Sequence, residues 1–252
     1  MELGLKGKVA VVGGSSEGIG YGIARLLAGE GASVALVARR AEPLKAAAER
    51  IAAETGAQTL AISADIRKAE DCTRIIENAA AAFGRLDILV NNDGAPPLGL
   101  LMEFDDKAWD QAVQRNLMSV VRLSRAAVPH MKKVGGGRIV NIAALSALQP
   151  MPKFGLSVAT WAAVIGYAKT LSLEVAADRI TVNTICPGRI ATGRLATVFG
   201  AEAAELAKQV PLGRIGQPED IASLVGLLAS EKGGHITGST FHVDGGRRAN
   251  LL

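Results

Sequence analysis

The chain has 252 residues, 49% hydrophobic and 21% charged, which supplies one sizeable core and excludes a disordered chain. Its 28 basic and 24 acidic side chains leave a net charge of +4, spread along the chain rather than gathered into an aromatic-interleaved stripe, so no nucleic-acid partner is expected. Cys72 and Cys186 lack metal or redox spacing, the start has no leader pattern and no later segment reads as membrane-spanning, so a cytoplasmic protein without disulfides, metal or membrane contact is expected.

Residues 9–13 read as a buried strand, and Gly14, Gly18 and Gly20 follow it. An amphipathic helix then opens at Ile19, with Ile23, Leu26 and Leu27 at helical spacing and Gly31 as its stop. Glycines between a strand and a helix suit a phosphate: the backbone turns and comes close, and the helix N-terminus offers free N–H groups and a positive dipole end. Gly14, Ser15, Ser16, Gly18, Ile19 and Gly20 are therefore candidate dinucleotide-binding residues. The next strand, 32–38, completes a βαβ unit and ends in Arg39 and Arg40. An NAD site would place an acidic residue there for the ribose hydroxyls, whereas arginines suit a 2′-phosphate, so NADP is favoured over NAD; the alternative is two solvated arginines.

Helices at 41–55 and 69–83 flank a strand at 58–63, and 86–90 reads as a central strand closed by Asn91, Asn92, Asp93 and Gly94. Strand ends on the carboxyl side face the ligand crevice, so Asp65, Ile66, Asn91 and Gly94 join the cofactor set. A long helix is expected over 105–132, a strand over 138–143, a helix over 160–177 and a strand over 180–185. Leu195, Val198 and Phe199 fall at i, i+3 and i+4, which suggests a short helix above the site, and 194–210 is read as a substrate lid. A helix at 218–230 and a strand at 239–243 complete an α/β alternation. It predicts a single domain, a Rossmann-type doubly wound parallel sheet with helices on both faces.

The glycine loop, Asp65, Asn91-Asn92-Asp93-Gly94, Asn116, Arg138-Ile139-Val140-Asn141, Ile180-Thr181-Val182-Asn183, Pro187-Gly188, Pro211-Leu212-Gly213-Arg214 and Val243-Asp244-Gly245-Gly246 carry a resemblance. Over essentially its whole length, the chain resembles the short-chain dehydrogenase/reductase family, most closely its 3-oxoacyl-acyl-carrier-protein-reductase-like branch. The resemblance implies seven strands in the order 3-2-1-4-5-6-7, and a cofactor site to which Pro187, Gly188, Ile190 and Thr192 contribute. It also implies a homotetramer or homodimer built on the long helices. Gly13 stands where the family usually has Thr, and Asp93 where it usually has Ala. Asp93 is read as a turn residue, with an adapted acid/base as the alternative.

Reductases of this family use a Ser after strand five, a Tyr and a Lys four residues apart on the next helix, and an Asn on the preceding one. Hydride arriving at a carbonyl carbon leaves an alkoxide that needs a proton; the Tyr supplies it and the Lys cation makes that phenol acidic enough. Counting without a gap puts Ala144, Ser157 and Trp161 at the Ser, Tyr and Lys positions and leaves only Asn116. Tyr167 lies about 15 Å along a helix from Ser157, and Lys169 about 12 Å from Trp161, so neither substitutes. Asn116, Ser157, Ser146 and Lys153 are the remaining candidate catalytic residues. The expectation is an NADP-dependent oxidoreductase that acts on a carbonyl or alcohol of an apolar small molecule by an altered proton route. The alternatives are a cofactor-binding pseudoenzyme, paired in a hetero-oligomer with an active family member, and a non-redox reaction in the same pocket.

Overall fold

Alternation along β1 (Val9–Gly13) creates two layers: Ala10 and Val12 enter one core, Val9 and Val11 the other. The computed structural model describes residues 2–193, 195, 197 and 203–249. Of the expected lid, Arg194, Val198 and Phe199 lie outside the described residues.

After β1 come α1 (Gly18–Gly29), β2 (Ser33–Ala38), α2 (Ala41–Thr55), β3 (Thr59–Ser63), α3 (Ala69–Phe83) and β4 (Ile88–Asn91). A helical stretch follows as α4 (Asp106–Ala112), a π-helical turn (Val113–Met118) and α5 (Ser119–Lys133), before β5 (Gly137–Ile142) and α6 (Gly155–Glu174). The chain continues through β6 (Ile180–Pro187), α7 (Ala203–Ala207), α8 (Pro218–Ala229) and β7 (Thr240–Val243). All seven strands are parallel, in the order β3-β2-β1-β4-β5-β6-β7. Val12 of β1 stands opposite Leu36 of β2 and Val90 of β4, and the chain order reverses there. A crevice opens at the carboxyl ends of the strands at such a switch point.

Residues of α1, α2 and α8 cover one face of the sheet, and residues of α3, α5 and α6 the other. Parallel strands buried on both faces read as continuous apolar runs, as β1, β2 and β4 do. A third cluster joins Val120, Ala143, Trp161, Val164 and Cys186 beneath the crevice.

Three sequence expectations are corrected. The helix over 105–132 is interrupted by the π turn, where Asn116 Nδ2 donates to Thr160 Oγ1 at 2.8 Å and the Ser119 hydroxyl donates to the Arg115 carbonyl. The helix α6 begins at Gly155, five residues before its expected start, because its N-cap is Phe154, which makes no side-chain capping bond and gives no signal in sequence. That same helix, with 20 residues and a mean hydropathy of 1.2, is long and apolar enough to cross a membrane, contrary to the reading of the sequence. Its length and composition come from packing on the sheet, where Leu156, Trp161, Val164 and Ala168 are buried.

Candidate active site

The end of β1 is shaped by contact with Asn92. A Cβ on Gly13 would stand 2.5 Å from the Asn92 carbonyl oxygen, and one on Gly14, at φ +56°, would stand 2.7 Å from Asn92 Nδ2. That amide donates to the Gly13 carbonyl at 3.0 Å, which gives the departure from Thr at position 13 a steric reason. The helix α1 then starts from Glu17, an extended N-cap with no side-chain capping bond. Its first-turn N–H groups remain available to an anion, which is the feature a dinucleotide pyrophosphate fits.

Gly14, Ser16, Gly18 and Ile19 line an open cleft of about 600 Å³ together with Arg39, Arg40, Asp65, Ile66, Gly94 and Thr192. Ser15 turns away from it. The Ser15 hydroxyl donates to the Val12 carbonyl and accepts from the Val37 N–H, each at 2.8 Å, tying the loop to β2. Gly20 packs inward against the Gly14 carbonyl, where no Cβ fits. Asn91 is also structural: buried at the end of β4, it donates through Nδ2 to Asn141 Oδ1 of β5 at 2.8 Å. Asp65 receives Arg67 Nε at 2.9 Å and Nη2 at 2.6 Å, and this pairing holds its carboxyl below the usual carboxylate range.

A smaller pocket of about 200 Å³ adjoins the cleft and shares Ile19, Asn92, Asp93, Ala95 and Thr192 with it. Ala144, Ser146, Ser157 and Trp161 line it, as do Pro187, Gly188, Ile190 and Leu195. Trp161 is 4% exposed and fills the apolar cluster under the pocket, so this position carries no cation. Ser146 is buried, and its Oγ has no hydrogen-bond partner among the described residues. Asn116 lines neither cavity; through Thr160, whose hydroxyl donates to the Leu156 carbonyl at 2.7 Å, it braces the turn of α6 that bears Ser157. Lys153 is exposed at φ +68° outside both cavities, and its carbonyl accepts from Gly99 N–H at 3.0 Å.

Asp93 is half-buried in the loop that follows β4. It lies on the border of both cavities with its Oδ2 3.7 Å from Arg115 Nε, and Arg115 is itself anchored by an Nη1 bond to the Ala95 carbonyl at 3.2 Å. Burial pushes the Asp93 carboxyl above its usual range, against the Gly94 N–H and the Arg115 cation, which pull it down. Burial also pushes the thiols of Cys72 and Cys186 up to about 11 and about 12, which keeps both from nucleophilic work near neutrality.

The sequence reading missed four basic wall residues among the described ones. Arg67 and Arg115 line the cleft, and Arg189 and Arg247 line the pocket. Each adjoins a recognised motif, at Asp65, Asn116, Pro187-Gly188 and Gly245-Gly246 respectively, and that adjacency is the available signal.

Residues 14–248 match the family described as enoyl-(acyl carrier protein) reductase. The chain is 39% identical over 242 residues to 3-oxoacyl-acyl-carrier-protein reductase FabG of Haemophilus influenzae, covering 96% of this chain and 98% of that one. Among solved structures, L-sorbose reductase from Gluconobacter frateurii, complexed with NADPH and L-sorbose, superposes with a TM-score of 0.94 at 36% identity over 100% of both chains. A short-chain type dehydrogenase/reductase from Mycobacterium ulcerans superposes with a TM-score of 0.91 at 29% identity, over 96% of this chain and 90% of that one.

Proposed function

Because the chain belongs to the short-chain dehydrogenase/reductase family, we propose that it is an NADP(H)-dependent oxidoreductase that interconverts a carbonyl and its alcohol by an altered proton route. The observation that carries this reading is the continuity of cleft and pocket, since Ile19, Asn92, Asp93, Ala95 and Thr192 belong to the walls of both. The NADPH complex of L-sorbose reductase supports the cofactor, and the FabG relative supports a reductase. Gly14, Gly18 and Ile19 would hold the pyrophosphate, Arg39 and Arg40 a 2′-phosphate, and Thr192 the nicotinamide end.

When bound, NADPH supplies a hydride to the carbonyl carbon, and the substrate oxygen then needs one proton. Ala144 and Trp161 hold no group that ionises near neutrality, so another part of the wall has to provide it. Asp93 takes this role in our reading: burial keeps its carboxyl protonated to higher pH than an exposed aspartate, and Arg115 balances the carboxylate left when the proton departs. The Ser146 and Ser157 hydroxyls orient the substrate oxygen and relay that proton. Asn116 is a positioning residue, acting through Thr160.

The test is NADPH oxidation against a carbonyl panel of 3-oxoacyl thioesters, ketoses and activated diketones. Turnover on at least one class is expected. Tight NADPH binding with no turnover on any member would overturn the reading in favour of a cofactor-binding pseudoenzyme.

A further inference from the structure

Asp93 also borders a much smaller cavity, of about 10 Å³, at the lower end of the space that one water needs. Val11 of β1, Val37 of β2, Leu89 of β4, Ile75 of α3, Leu123 of α5 and Trp161 of α6 give it apolar walls. Among the described residues, the polar members of that wall are Asn91, Asn92, Asp93 and Ser119.

Asn91 and Ser119 are both more than nine-tenths buried. Asn91 lies on the same face of β4 as Leu89, so its side chain enters the layer that holds the cavity. Its Nδ2 is committed to Asn141 Oδ1 at 2.8 Å, while its buried Oδ1 has no hydrogen-bond partner among the described residues. Ser119 opens α5 just after the π turn. Its proton is committed to the Arg115 carbonyl, so toward the cavity its Oγ can only accept. Asn92 gives its amide to the Gly13 carbonyl instead. A buried acceptor without a donor costs free energy unless a water serves it, and a buried water commonly makes about three bonds.

Donors and acceptors decide how such a water sits. Its two protons go to Asn91 Oδ1 and Ser119 Oγ, which leaves its lone pairs for Asp93, and a lone pair binds only a carboxyl that carries its proton. We propose that Asn91 and Ser119 are positioning residues: they fix one water whose oxygen accepts from the Asp93 carboxyl O–H, and so hold that acid in its proton-donating form. This rests on the reading of Asp93 as the proton donor. The surrounding charges work against that form. Arg115 on the π turn, Arg39 after β2 and Arg67 after β3 favour the carboxylate, and Asp65 opposes them. Glu17 and Arg40 pair with each other on the cleft wall, and Arg189 and Arg247 add two more cations along the substrate pocket. From α5 and α6, Ser119, Ser157 and Trp161 bring no charge. Burial and the water together oppose the cations.

The test follows the Asp93 carboxyl by carboxyl-carbon NMR titration of the NADP⁺-loaded protein, its signal assigned by its loss in Asp93→Asn. In Ser119→Ala the water regains a free proton, which turns to the carboxylate, so the affinity of Asp93 for its proton should fall about 3- to 10-fold. The sign separates this from a structural effect. Loosening Arg115, whose carbonyl the Ser119 hydroxyl holds, would remove a cation's pull and raise that affinity. Asn91→Ala should lower it as well, and a crystal structure of the unsubstituted NADP⁺ complex should show one water in contact with Asn91, Asp93 and Ser119. An unchanged or raised affinity in either variant that folds, or a water at this site that does not touch Asp93, would overturn the proposal. The pH profile of kcat/KM in the same variants separates it from the reading on which it rests. A fall in proton affinity by NMR that leaves that profile in place would sink Asp93 as the proton donor and keep the water. A profile that loses its limb in Asp93→Asn but is untouched in Ser119→Ala would do the reverse.

Discussion

Asp93 is pulled in two directions. Burial favours its neutral form, while Arg115 at 3.7 Å favours its charge, and burial wins. Because the folded protein holds this proton more tightly than the unfolded chain does, the aspartate costs stability as pH rises from the ordinary carboxylate range through its raised value. The same titration should govern reduction: kcat/KM is expected to be full below the raised value and to fall as pH rises through it. Asp93→Asn should remove that limb and lower kcat/KM about 100-fold or more, and an unchanged pH profile would exclude the role. The sequence put a carboxylate at this position but could not show its burial, since Arg115 is 22 residues away and reaches it only through the π turn. Ala144, Ser157 and Trp161 make a second prediction. In the combined Ala144→Ser, Ser157→Tyr, Trp161→Lys protein, ordinary carbonyl reduction should appear if the pocket is otherwise that of a reductase. Trp161→Ala alone empties the cluster of Val120, Ala143, Val164 and Cys186, and a urea denaturation series should register a loss of about 3–5 kcal/mol.

Among the elements, legibility followed the signals that each one carries. The strand–glycine–helix unit from β1 through β2 was readable within a residue or two, because its apolar run, glycines and helical spacing all agree. The break before α5 was not readable, since the π turn is stabilised by Asn116 reaching Thr160, a contact 44 residues distant in sequence. At the opposite end, α8 announced itself by Pro218, Glu219 and Asp220 in its first turn. Asp220 Oδ2 accepts from the Gln217 N–H at 2.7 Å, and the carboxylate pairs with Arg214 at 2.7 and 2.9 Å. These bonds, the arginine first, lower its carboxyl to about 2. The folded value lies below the unfolded one, so this stabilisation is present above the ordinary value of 3.8 and is lost as pH falls from there toward 2. Asp220→Asn is expected to cost about 1 kcal/mol near neutrality and to flatten that acid limb, followed by thermal unfolding across pH. The effect should reach the cofactor, because a Cβ on Gly22 of α1 would lie only 2.8 Å from Pro218 Cβ, so α8 rests directly on the helix that forms the cradle.

At the scale of the whole molecule, the net charge of +4 says little about the cofactor; the pairing of charges around the cleft says more. Among the described residues, four arginines line the cleft, Arg39, Arg40, Arg67 and Arg115, with three acids, Glu17, Asp65 and Asp93. The structure pairs Arg40 with Glu17 at 3.0 Å, Arg67 with Asp65 at 2.6 Å and Arg115 with Asp93 at 3.7 Å. Arg39 is left without an acidic partner among the described residues. The sequence presented Arg39 and Arg40 as equivalent, because the glutamate that separates them is 23 residues from Arg40 and across a βαβ crossover. Their contributions to a 2′-phosphate should therefore differ. Arg39→Ala is expected to weaken NADPH about 10-fold and leave NADH nearly unchanged, since it removes a charge-assisted bond that only the phosphate can make. Arg40→Ala should cost less, because that guanidinium must first leave Glu17. Glu17→Gln should tighten NADPH by no more than about 5-fold, the scale of an exposed ion pair, by releasing Arg40 and removing a carboxylate that repels the phosphate. Fluorescence titrations of the three variants with both nucleotides decide the matter, and the preference should shrink as ionic strength rises. Equal losses for NADH and NADPH in Arg39→Ala would assign that arginine to general attraction, and the 2′-phosphate would then have to be held by a rearranged Arg40.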